Sequence, residues 1–339
     1  MSITPELLII ILKKNYSFEK FNASMKKIIY YLRSFIKEDF NLVFYGYTFL
    51  FLAVNIYLNY AHRLEYHWVS QYSGTYKGYF FAFTFNAFAY YMIAIPKGFF
   101  FKEQYIKHWA FWIKSSLFLL LLSIDGSFFH HTDFVYQHYA DQYWEKYYMF
   151  KIAPNLYPTI LYISFLLCIK YFYDRQERGL YGLTFKGFDY KLYLWAIVIM
   201  IPLIFWASFQ PDFLEEYPQF KPWLYSEAFG LSKFQMSLLF EFFYGIDFVT
   251  VELIFRGALV IGLSSQMGRS VILPMVVTYA FLHFGKPLAE TIGSIFGGYI
   301  LGIVALNTRN ILGGCTIHIG VALLMEAMAL MQFYMIQNP

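Results

Sequence analysis

Charge is what this chain has least of. Of its 339 residues only 14% are Asp, Glu, Lys or Arg, against about 25% in an ordinary soluble domain. That shortfall excludes a water-soluble globule with a normally charged surface. Cysteine is nearly absent as well. Cys168 and Cys315 are the only two; both fall in apolar runs without metal-ligand spacing, so reduced, buried thiols are expected and a disulfide framework is not. No cleavable leader is expected, because MSITPELLIIILKK offers only six consecutive apolar residues, with acid before them and lysines after. No internal repeat, low-complexity tract or H-E-x-x-H stands out. The net charge of +4 is small, and no nucleic-acid partner is expected.

What is present is apolar and aromatic. Hydrophobic residues make up 59% of the chain, with 40 Phe and 32 Tyr, more than a soluble core of this length needs. The excess suits lipid-facing and interfacial positions, where a ring is apolar at one end and wet at the other. A spanning helix takes about 20 mostly apolar residues. Candidate spans cover 41–60, 78–96, 108–125, 155–174, 190–208, 234–264, 270–285, 288–306 and 311–335. The fold expected is therefore an all-α polytopic membrane helix bundle with about nine transmembrane helices. Three regions follow: a basic arm at 1–40, five spans at 41–230, and four spans at 231–335.

Basic residues in short loops set orientation. The arm carries Lys13, Lys14, Lys20, Lys26, Lys27, Arg33 and Lys37. Lys97, Lys102 and Lys107 follow the second span; Arg175, Arg178, Lys186 and Lys191 follow the fourth. The loop after the fifth is acidic, with Asp212, Glu215, Glu216 and Glu227. The expectation is an integral, multi-pass protein with a cytoplasmic N-terminus and an external C-terminus. Residues 1–38 read either as an amphipathic helix on the inner leaflet or as a solvated basic tail.

The last third concentrates ionisable residues inside spans, where a charge costs roughly 2.5–3.5 kcal/mol on insertion scales. Glu241, Asp247, Glu252 and Arg256 lie on the sixth span, and His283 on the seventh. Glu290 opens the eighth, and His318 and Glu326 lie on the ninth. At 100° per residue Glu241, Glu252 and Arg256 share a face and Asp247 points elsewhere. Helical rise puts Glu252 and His283 each roughly 18 Å from the basic side, His318 roughly 10 Å and Glu326 roughly 22 Å. Each has a bland reading: Glu252 and Arg256 at i, i+4 neutralise one another, each His packs as a hydrogen-bonded core residue, Glu290 beside Lys286 is an interfacial charge, and Glu326 pairs with a donor. Three helices that bring a Glu and two His to similar depth nevertheless have the pattern of a site. A second cluster, His130, His131, Asp133, His138 and Asp141, matches no metal signature and reads as an aromatic interfacial loop.

VELIFRG at 251–257, YAFLHFGKP at 279–287 and HIGVA at 318–322 resemble, in that order, the three motifs of the CAAX protease and bacteriocin-processing family (CPBP, or Abi). The family pattern is E-E-x-x-x-R, F-x-x-x-H and H-x-x-x-N or H-x-x-x-D. The resemblance covers roughly residues 231–335, with nothing usable in the first five spans. It implies an intramembrane CAAX-type endopeptidase that hydrolyses a peptide bond in a membrane-anchored, hydrophobic or lipidated peptide. Glu252, His283 and His318 would then be catalytic, with Arg256, Tyr279, Glu326 and Glu290 supporting. Val251 stands where the family has its first acid, and Ala322 where it has Asn or Asp.

Such chemistry needs a base for water and donors for the developing oxyanion. Two well-placed histidines without H-E-x-x-H point to a metal-free mechanism with no cofactor. Membrane lipid and the peptide substrate are the expected partners. Two alternatives stay open: a catalytically silent relative acting as a membrane scaffold or immunity partner, and a proton-coupled transporter using the buried acids as a relay.

Overall fold

The computed structural model describes residues 25–177 and 179–337, and every regular element among them is helical. Residues 1–24, and with them Lys13, Lys14 and Lys20 of the basic arm, lie outside the described residues. The arm from 25 to 39 is a helix, α1. Then come α2 (Leu42–His62), α3 (Leu64–Trp68), α4 (Tyr76–Phe100), α5 (Trp109–Ser127), α6 (His130–Tyr139), α7 (Tyr143–Phe172), α8 (Tyr190–Ala207) and α9 (Pro211–Glu216). The last third comprises α10 (Lys233–Glu252), which runs on as a π-helix over Leu253–Gly262, then α11 (Ser264–Met267), α12 (Ile272–Leu282), α13 (Leu288–Thr308) and α14 (Leu312–Gln337). The protein is an all-α helix bundle.

Among the described residues, six helical stretches are long and apolar enough to cross a membrane: α2, α4, Trp109–Tyr139, α7, α13 and Leu312–Met335. The spans expected at 190–208, 234–264 and 270–285 are of another kind. The first contains a shorter apolar helix, Tyr193–Ala207. The second holds the four charges of α10 and its π-helical continuation. The third contains an 11-residue helix, α12. α7 begins at Tyr143 rather than near 155, its helix running through Pro154 and Pro158.

Local sequence explains the boundaries that matter for the site. Ser232 and Gln235 form a reciprocal capping box at the start of α10, which fixes the helix that carries Glu252. Gly298 and Gly302, four apart on α13, let that helix close on α12. A β-carbon at 298 would stand 3.1 Å from the Tyr279 ring, and one at 302 would meet Met275. Small residues at this spacing are the usual means of close helix approach in a bilayer.

The connections gather at two ends. At one end, Lys97 pairs with Asp39, Lys114 with Asp174, Arg269 with Glu38 and Arg309 with Glu177. At the other, Lys286 pairs with Glu216, Tyr60 donates to the Lys286 carbonyl, and Lys151 donates to the Gln219 carbonyl. Between them the outward surface is apolar, with residues such as Phe49, Leu50, Phe80, Ile199 and Phe296 largely exposed. Cys315 is buried, but Cys168 is on the exposed side of α7, so only one of the two thiols is in the interior.

Candidate active site

The π-helix begins directly after Glu252. Its i→i+5 bonding is rare in proteins and concentrates at functional sites. Across the junction Arg256 Nη1 lies 2.9 Å from Glu252 Oε1, with the side chains 1% and 0% exposed. The guanidinium also lies 4.3 Å above the Tyr279 ring, a favourable cation–π geometry. Glu252 is turned into the bundle against α14, where Gly314 leaves room for it. A methyl at 314 would collide with the Glu252 carboxylate.

His318 stands on the other side of that carboxylate, its Nδ1 3.4 Å from Glu252 Oε1. Its Nε2 is 3.5 Å from the Tyr279 hydroxyl, and its ring packs 4.4 Å from that of Phe248. His283 follows Tyr279 by one turn, with ring centroids 4.6 Å apart. Its Nδ1 is 2.8 Å from the Tyr279 carbonyl oxygen. A carbonyl only accepts, so Nδ1 carries the proton, and Nε2 of the neutral ring is left with its lone pair. Thr291 donates to the His283 carbonyl at 2.6 Å, fixing the turn into α13.

Glu252, Arg256, Tyr279, His283 and His318 thus form one chain of contacts drawn from α10, the π-helix, α12 and α14. Tyr279 is its hub, with Arg256 over its ring face and a histidine on either side. The other two sequence candidates have different partners. Glu326, 2% exposed, receives the Gln219 backbone N–H on both carboxylate oxygens, at 2.9 and 3.1 Å. Glu290 accepts from the Tyr217 hydroxyl at 3.1 Å. Both acids tie down the segment after α9, and neither contacts a histidine of the constellation. Glu241 is partly buried on α10, near Glu326, and Asp247 is near Asp125 of α5.

Val251 and Glu252 face apart, as neighbours on a helix must. Val251 packs against the main apolar core, while Glu252 meets His318 and Arg256. Glu252 reaches His318 and Arg256 from the face that 100° spacing gives it in common with Arg256. Ala322 is buried one turn beyond His318. The histidine-rich stretch at 130–139 folds as α6, where His130 is 3.5 Å from Asp133 and His138 bonds the Phe134 carbonyl. Among the described residues no group of three His, Cys, Asp or Glu is arranged to hold a metal ion.

Sequence reasoning passed over two participants. Phe248, one turn before Glu252, packs on His318. Gly314, the second glycine of an adjacent pair near the start of a mostly apolar helix, makes the space for the carboxylate; that pair was the available signal. Residues 235–324 match a family model described as Rce1-like, type II CAAX prenyl endopeptidase. The matched stretch includes every residue of the contact chain and none of α1–α9. No curated protein and no solved structure matches the chain.

Proposed function

We propose, on the premise that residues 235–324 are a CAAX-protease-type domain in a membrane-embedded helix bundle, that the protein is an intramembrane endopeptidase. Its substrate would be a hydrophobic or lipidated peptide anchored in the membrane. The observation that carries this reading is the contact chain from Glu252 through His318 and Tyr279 to His283. Glu252 is sealed from water and held by Arg256, so it acts through His318, orienting that ring. His283 Nε2 takes a proton from water, whose oxygen attacks the scissile carbonyl carbon. The oxyanion takes its donors from the Tyr279 hydroxyl and from His318 as an imidazolium paired with Glu252. The proton then passes from His283 to the leaving nitrogen as the C–N bond breaks.

A second reading rests on Val251 and Ala322. With a valine in the core where the family has its first acid, a silent relative that kept the fold has the same contacts. The test is proteolysis of a panel of hydrophobic and lipidated peptides by the purified protein, with and without chelator. Cleavage by the parent supports the endopeptidase. No cleavage by the parent, with activity gained in Val251→Glu/Ala322→Asn, identifies the silent relative. On orientation, the proposal is that the end rich in Lys and Arg is cytoplasmic. Reporter fusions after residues 38, 180 and 337 should read inside, inside and outside; an external reading at 180 would overturn that map.

A further inference from the structure

Most of what holds the π-helix, Arg309 excepted, is outside the family-matched segment. The last carbonyls of a helix have no partner within it, and a cation is favourable there. Here two cations take those places: Lys114 of α5 donates to the Gly262 carbonyl, and Arg309 donates to the Ile261 carbonyl at 3.3 Å. Each cation is held by an acid from the connection between α7 and α8. Lys114 is 2.6 Å from Asp174, and Arg309 pairs with Glu177.

The same connection sends Tyr181 into the bundle. It is fully buried, and its hydroxyl donates to Asp174 at 2.6 Å. Gly257 and Gly262 form the notch it fills, since a β-carbon at either would stand 3.1 Å from Tyr181. Tyr181 has a φ of 47°, a left-handed conformation that a bulky residue keeps only where its surroundings hold it. The next residue, Gly182, accepts from Ile311 N–H at 3.0 Å at the start of α14. One short connection therefore touches the π-helix, the two cations at its end and the start of the helix bearing His318.

We propose that Lys114, Asp174 and Tyr181, with Arg309 and Glu177, form a clamp that keeps residues 253–262 in the π form and so keeps Arg256 over the Tyr279 ring. These are positioning residues, and their role as such rests on the active-site reading above. An α-helical 253–262 would turn further per residue and carry Arg256 away from Tyr279. The clamp also assigns a task to the region that bears no family motif.

The test uses Cys315, 4% exposed beside Glu252 and Arg256, as a reporter in the full chain with Cys168→Ser. Its alkylation by N-ethylmaleimide is followed in lipid nanodiscs. Tyr181→Ala should raise the rate about tenfold or more by opening this part of the bundle locally, and Tyr181→Phe, which keeps the ring in its notch, should stay within about threefold of the parent. Val135→Ala, at the one buried residue of α6 and away from the clamp, is the control for general loosening. Equal rates in Tyr181→Ala and Val135→Ala would overturn the clamp. Should Tyr181→Ala not fold, Asp174→Asn decides: it releases Lys114 at nearly constant shape, so an unchanged rate rejects the proposal and a several-fold rise supports it. If the parent cleaves peptide, Tyr181→Ala should lower kcat with KM held. If the parent cleaves nothing, the thiol rates still decide the clamp separately from the enzyme reading.

Discussion

Residues 41–230 and 231–335 bury their charges in different places. In the first region the buried cations are at the end of the bundle. Lys97 lies 2.7 Å from Asp39, which also accepts from the Tyr45 hydroxyl, and Lys114 is on Asp174. In the second, Glu252 and Arg256 pair in the interior of a helix and are sealed from both ends. A charge near the end can be kept for packing or orientation. The interior pair has a glycine opposite it, an aromatic face beneath it and a π-helical turn that starts directly after Glu252. On the proposed reading, 231–335 carries the chemistry and 41–230 holds it in shape.

The comparison breaks most visibly at Arg256. Arg256→Ala leaves the Glu252 charge buried and unpaired, and should cost about 3–5 kcal/mol of stability in detergent unfolding. Glu252→Gln with Arg256→Gln should cost less than Arg256→Ala alone. Lys97→Ala should also cost less, since Asp39 keeps the Tyr45 hydroxyl at the bundle's end. Equal losses at 97 and 256 would erase the distinction between the two regions.

Two glycine substitutions sharpen it. Gly314→Ala drives a methyl into the Glu252 carboxylate and should destabilise by about 1–3 kcal/mol, the usual range for overpacking. Gly46→Ala in α2 meets nothing within 4 Å and should be neutral or stabilising by up to about 1 kcal/mol. Thermal unfolding of the pair side by side checks both.

The smallest effect concerns Glu216, at the end opposite the basic loops. Burial pushes its carboxyl up, but the Lys286 hydrogen bond and charge, with the Gln219 amide, more than offset this, and its pKa lies below the usual glutamate value. A lowered folded-state pKa gives stability that is present above the unfolded value and lost as pH falls through the folded one. The pair is about a third exposed, so the contribution should stay below about 1 kcal/mol. Glu216→Gln should flatten the acid limb of the stability curve, and a limb unchanged by the substitution would remove Glu216 from the account.

Much of the fold was legible because apolar runs and punctuation are local signals. α2, α13 and α14 begin within a residue or two of the expected spans. Glu252, His283 and His318 were legible as a set because charge inside an apolar run is conspicuous. The partners of Glu326 and Glu290 were not, since depth along a helix says nothing of the segment 217–220 that folds back onto them. The π-helix was also hidden: LIFRGALVIG reads as ordinary helix, and its geometry depends on Lys114, Tyr181 and Arg309, which are distant in sequence.

The central claim is that Glu252, His283 and His318 act together in hydrolysis while Glu326 and Glu290 hold structure. Peptide turnover by folded single variants measures this most directly. His283→Ala should lower kcat by about 10²–10⁴, as removal of a general base does, with Glu252→Gln also strongly impaired. Glu326→Gln and Glu290→Gln should retain most of the parent rate once folded. Parent-like cleavage by folded His283→Ala or Glu252→Gln would contradict the account.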